Sequence, residues 1–95
     1  MSARDRLQLP WPTAVRAKWE LGKATHGPQW QGDHPLIELH EELLDAENYL
    51  TEAARREELG TDHDEWPYEW QSQLETIRGL ARWVHRKCHV LKLVP

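Results

Sequence analysis

Between Glu38 and Leu50 the chain reads E-L-H-E-E-L-L-D-A-E-N-Y-L. Wound into a helix, Glu38, Glu42, Asp45 and Tyr49 fall at i, i+4, i+7 and i+11 and share one row. Leu36, Leu39, Leu43, Ala46, Leu50 and Ala53 make the neighbouring row, spaced as a core-facing stripe. Carboxylates stacked beside such a stripe are expected to be half-buried at a helix junction, where they repel one another. Water, a basic partner helix or a divalent cation must then compensate. Oxygen ligands at this spacing suit Mg2+, which can polarise a phosphorus centre and activate water.

A second row lies near the C-terminal end. Arg78, Arg82, His85 and His89 repeat the same i, i+4, i+7, i+11 spacing, with Arg86 and Lys87 nearby. Guanidinium groups match phosphate oxygens in bidentate geometry, so Arg78 and Arg82 are candidates to hold a phosphate opposite a metal. The other reading is charge complementarity with the acidic helix, within the chain or across a dimer. His85 and His89 sit one turn apart, a spacing that permits zinc. They lack the Glu of a metalloprotease motif and a third ligand nearby. Cys88 falls on an apolar seam and reads as a core thiol. Nothing resembles a nucleophile elbow, a phosphate-binding glycine loop or a dinucleotide fingerprint.

Helices must position these rows. Residues 1–12 read as an irregular arm ending in Pro10-Trp11-Pro12, followed by one helical domain over 13–95. Thr13 is the expected N-cap of a first helix, Ala14 to about Ala24, stopped by Gly27-Pro28. Residues Gln29 to Asp33 read as a loop. Asp33 then caps a long helix with Pro35 in its first turn, running to about Leu59 and stopped by Gly60. A polar loop, Thr61 to Glu65, leads to a third helix opened by Pro67. There Trp70, Leu74, Ile77, Ala81, Val84, Cys88 and Leu91 follow at strict 4-3 spacing. Strand alternation is absent. The fold class expected is all-α, with two long antiparallel helices plus a shorter N-terminal helix. Ile37 and Leu44 lie off the main stripe of the second helix, so one partner helix leaves apolar surface uncovered. The bundle is therefore expected to be completed by dimerisation.

Composition bounds the function. The 95 residues carry a net charge of −4, distributed unevenly. Residues 34–75 hold two Lys/Arg and thirteen Asp/Glu, whereas residues 76–95 hold five Lys/Arg and no acid. The whole chain is too acidic for a nucleic-acid footprint, so direct nucleic-acid binding is not expected. No apolar run approaches a membrane span. One cysteine excludes an internal disulfide, suits a reducing compartment and points to the cytoplasm. Six tryptophans with no phenylalanine point to core and interface packing in a small domain.

Glu41-Glu42-Leu43-Leu44-Asp45-Ala46, followed by Asn48-Tyr49-Leu50, resembles the second acidic motif of the MazG-like all-α nucleoside triphosphate pyrophosphohydrolases. In that family a Glu-x-x-Asp helix pairs with an upstream Glu-x-x-Glu helix to hold Mg2+ against the triphosphate. The resemblance covers about a quarter of the chain, and the upstream helix here offers only Glu20. Glu38-x-x-Glu41 fits the first motif but lies on the same helix, so a full site would need that helix from a second subunit. The segment from Gly27 to Pro35, with the helix after it, also resembles short phage-encoded proteins of unassigned function.

Two expectations follow. As an enzyme, the chain would cleave a nucleoside triphosphate between the α and β phosphates with Mg2+. Glu38, Glu41, Glu42 and Asp45 would ligate the metal, and an unliganded carboxylate among Glu41, Glu42 and Asp45 would orient water. Arg78 and Arg82 would hold phosphate. As a non-catalytic acidic helical protein, it would dock on a partner protein.

Overall fold

The computed structural model describes residues 1–27 and 32–94, and every element among them is helical. Helix α1 spans Ala3–Leu7, α2 Trp11–His26, α3 Pro35–Arg56 and α4 Tyr68–Val90, with a single 3-10 turn at His63–Glu65. No helix among the described residues is long and apolar enough to cross a membrane. The chain divides into two compact units, Met1–Gly32 and Asp33–Pro95. The division falls at the end of the expected 29–33 loop. Pro28 of the expected helix stop and residues 29–31 of that loop lie outside the described residues.

The first unit is more ordered at its start than expected. Residues 1–12 are not wholly irregular, because Ser2 and Asp5 form a reciprocal capping box that starts α1. The Ser2 hydroxyl accepts from the Asp5 N–H at 3.1 Å, and the Asp5 carboxylate accepts from the Ser2 N–H at 3.0 Å. Helix α2 begins at Trp11, two residues before the expected cap Thr13. Pro10 at the cap and Pro12 in the first turn are pre-set for helix and lack donors that would go unpaired there. Gly27 ends the helix with φ +91°.

The second unit is a helical hairpin. Leu43 packs with Val84 and Cys88 near one end, and Ala54 packs with Trp66 and Leu74 near the other. Rising numbers on α3 meet falling numbers on α4, so the helices are antiparallel, as expected. His34, not Asp33, caps α3: its Nδ1 accepts from the Leu36 N–H at 3.1 Å. At the other end α3 stops at Arg56, short of the expected Leu59, in a Schellman turn. The Leu59 N–H donates to the Ala54 carbonyl at 2.9 Å, and the Glu58 N–H to the Arg55 carbonyl at 3.0 Å. Leu59 then folds back onto the Ala54–Trp66–Leu74 cluster.

The connection between the hairpin helices runs from Glu57 to Pro67, longer than the five residues expected. Trp66 anchors it. Its ring is buried, and its indole N–H donates to the Gly60 carbonyl at 2.8 Å. Gln71 caps the approach, donating to the Trp66 carbonyl at 2.7 Å and the Asp64 carbonyl at 3.1 Å.

The seam differs from expectation by one position. Ala54 is fully buried, whereas Ala53 is exposed. Leu43, Glu47, Leu50 and Ala54 follow 4-3-4 spacing, the period that keeps one line against an antiparallel neighbour. On α4, Leu74, Val84 and Cys88 are buried as expected. Leu91 is exposed instead, because α4 ends at Val90 in a second Schellman turn and Leu93 takes the packing position.

Candidate functional site

The acidic row lies along the outer side of α3. Glu38 is half-buried, while Glu41, Glu42, Asp45 and Tyr49 are exposed. The expectation of a half-buried row is therefore corrected. Successive residues turn about 100°, which carries Glu42 roughly a quarter-turn and Asp45 more than a third of a turn away from buried Leu43. Exposure lets water screen the like charges, so their stacking costs little. None of Glu38, Glu41, Glu42 and Asp45 joins an ion pair among the described residues. Among those residues, no three His, Cys, Asp or Glu side chains converge as a metal-ligand set.

The basic row is divided between two roles. Arg82 reaches back to Glu75 on its own helix at 3.8 Å, in an exposed pair. Arg78 crosses to α3, but to Glu47 and not to the expected acidic row. Its Nε donates to Glu47 Oε1 at 2.8 Å and its Nη2 to Oε2 at 3.2 Å, a bidentate fork. The fork holds the Glu47 carboxyl below its ordinary value, against an opposing effect of partial burial. The same hydrogen bonds raise Arg78.

Arg78 Nη2 also lies 3.2 Å from His63 Nδ1. A guanidinium only donates, so Nδ1 accepts and Nε2 carries the ring proton. That Nε2 faces Thr51 Oγ1 at 3.3 Å, and the Thr51 hydroxyl donates to the Glu47 carbonyl at 3.0 Å. His63 stands edge-on to Trp66, with ring centroids 4.6 Å apart. This network ties α3, the 3-10 turn and α4 together. The Arg78 guanidinium is thus committed to structure.

Glu47 lies off the outer acidic row, on the side of α3 that meets α4. Its signal is a charged residue on the 43-47-50-54 seam, where a partner cation is required. Beside it lies a shallow groove of about 140 Å³ lined by Leu43, Leu44, Glu47, Asn48, Ile77, Arg78 and Ala81. A small-molecule site usually occupies roughly 300–1,000 Å³, so a nucleoside triphosphate would lie mostly outside this groove.

Three histidines, His40, His85 and His89, gather on the Arg78 side of the hairpin. The rings of His85 and His89 are 4.6 Å apart and that of His40 lies 6.5 Å from His85. Cys88 is buried in the core, as its position on the seam implied. The opposite side of the hairpin is apolar and open. Leu80 and Trp83 are each more than two-fifths exposed, and Leu39, Ala46 and Leu50 are only half-buried. Lys87 Nζ stands 5.9 Å from the Trp83 ring centroid.

Comparison with protein-family models, with characterised proteins and with solved structures finds no match to this chain.

Proposed function

We propose that this chain is a non-catalytic helical interaction protein that docks through its α3–α4 hairpin. The observation that carries this reading is the open apolar side of the hairpin. Leu80, Trp83 and Leu91 are accessible there, and the residues of α3 that should complete a core, Leu39, Ala46 and Leu50, are half-covered. A two-helix layer needs a further layer to exclude water from such a stripe. The side of the hairpin carrying the expected phosphate ligands supports the same reading, since Arg78 is spent on Glu47 and His63.

A second reading, a Mg2+-dependent pyrophosphohydrolase of a nucleoside triphosphate, keeps one observation in its favour. Glu38, Glu42 and Asp45 share a row, lack ion-pair partners among the described residues and are open to a cation. Incubation of the full chain with a nucleotide panel and Mg2+ separates the two. The interaction reading expects no pyrophosphate at high protein concentration. Pyrophosphate released by the wild-type chain and lost in Asp45→Asn would establish the enzyme instead.

A further inference from the structure

We infer that the open apolar side of the hairpin is covered by a second copy of this chain, with α3 of one copy lying against α4 of the other. This inference rests on the interaction reading and names its partner. The residues concerned follow from the helical period. On α4, Leu80, Trp83, Lys87 and Leu91 line the side turned away from the Arg78–His85 side. On α3 the same side of the hairpin is lined by Leu39, Glu42, Ala46 and Tyr49. The middle of this surface is apolar, its α3 edge is acidic through Glu38, Glu42 and Asp45, and its α4 edge is basic through Arg86 and Lys87. Glu42, Arg86 and Lys87 form no ion pair among the described residues. Among the described residues, Glu47 with Arg78 is the only ion pair that joins the two helices.

A surface with one acidic and one basic edge is complementary to itself under one arrangement. A two-fold axis parallel to the helices lays each α3 over the other copy's α4 and gives an up-down-up-down four-helix bundle. Rotation about such an axis preserves height along the helices, so the register is set by the packing already present. Leu43 lies beside Val84. Glu42 of one copy therefore comes level with the turn between Trp83 and Lys87 of the other. Ala46 comes level with Leu80 and Trp83, where its small side chain leaves room for the indole. Glu38 and Asp45 come level with either side of Arg86. The alternative axis, perpendicular to the helices, lays α3 on α3 and brings the acidic rows together, which like-charge repulsion opposes.

Sedimentation velocity on the full chain, over about 1 to 100 µM at moderate salt, tests the pairing. The wild-type chain should form dimers. Trp83→Ser, Glu42→Lys and Lys87→Glu should each raise the dimer dissociation constant about tenfold or more, with helical content unchanged. An equimolar mixture of Glu42→Lys and Lys87→Glu should regain a mixed dimer, because both two-fold-related contacts are then attractive again. A wild-type monomer throughout the range overturns the inference and leaves the interaction reading in place. Tighter dimers for Glu42→Lys alone also overturn it, since only α3-on-α3 packing is relieved by that change. Pyrophosphate release would instead sink the interaction reading itself.

Discussion

Glu47 shows how one residue can be structural where its neighbours looked functional. It shares α3 with Glu38, Glu41, Glu42 and Asp45, but it faces α4, and Arg78 closes on it with two hydrogen bonds. The pair is about one-third exposed on each side chain, so solvent screening limits its worth to about 1 kcal/mol. A double-mutant cycle of Glu47→Gln and Arg78→Met, followed by urea unfolding, should return a coupling of about that size. The pH dependence has a definite sign. Glu47 is lowered from an ordinary 4.5, so its stabilising contribution is present above that value and disappears as pH falls through the folded value. The stability difference between wild type and Glu47→Gln should therefore shrink as pH falls below 4.5. The two halves of this pair were legible to different degrees in the sequence. Arg78 belongs to a regular basic row, whereas Glu47 is one of six acids on α3 and its spacing does not separate it from the other five. Which acid meets a cation depends on the angle at which α4 approaches.

At the scale of elements, both long helices end with a residue in the left-handed region that is not glycine. Glu58 has φ +61° and Lys92 has φ +59°, each at the turning position of a Schellman motif. Non-glycine residues are strained there, so Glu58→Gly and Lys92→Gly should each stabilise the hairpin by about 0.5–1 kcal/mol in denaturant melts. Gly60, taken from sequence as the helix stop, works later in the chain. At φ +84° it turns the connection and offers its carbonyl to Trp66. Gly60→Ala should cost about 1 kcal/mol through that backbone conformation. Trp66→Ala should cost more, about 3 kcal/mol or above, because it empties the buried centre of the turn end of the hairpin. Termination moved because the folding-back of Leu59 and Leu93 onto the two clusters outweighs local propensity at Glu58 and Lys92.

For the whole molecule, the accessible acidic row makes a specific expectation about metal. Exposed carboxylates that do not converge hold Mg2+ weakly, so millimolar Mg2+ should leave the melting temperature within about one degree of the metal-free value. A rise of several degrees that Asp45→Asn abolishes would move the balance toward the enzyme. What the amino-acid sequence determined by itself is the helical class and the hairpin pairing of its two long segments. Those follow from periodicity, prolines at helix starts and glycines near helix ends, all local in the chain. Only the tertiary structure decided that the seam runs through Glu47 and Ala54, that Arg78 is held by Glu47 and His63, and that Glu41, Glu42 and Asp45 stand in solvent. Spacing along a helix places residues in rows. Which row is buried is set by where the neighbouring helix lies, and on α3 a difference of one residue separates a core position from an open one.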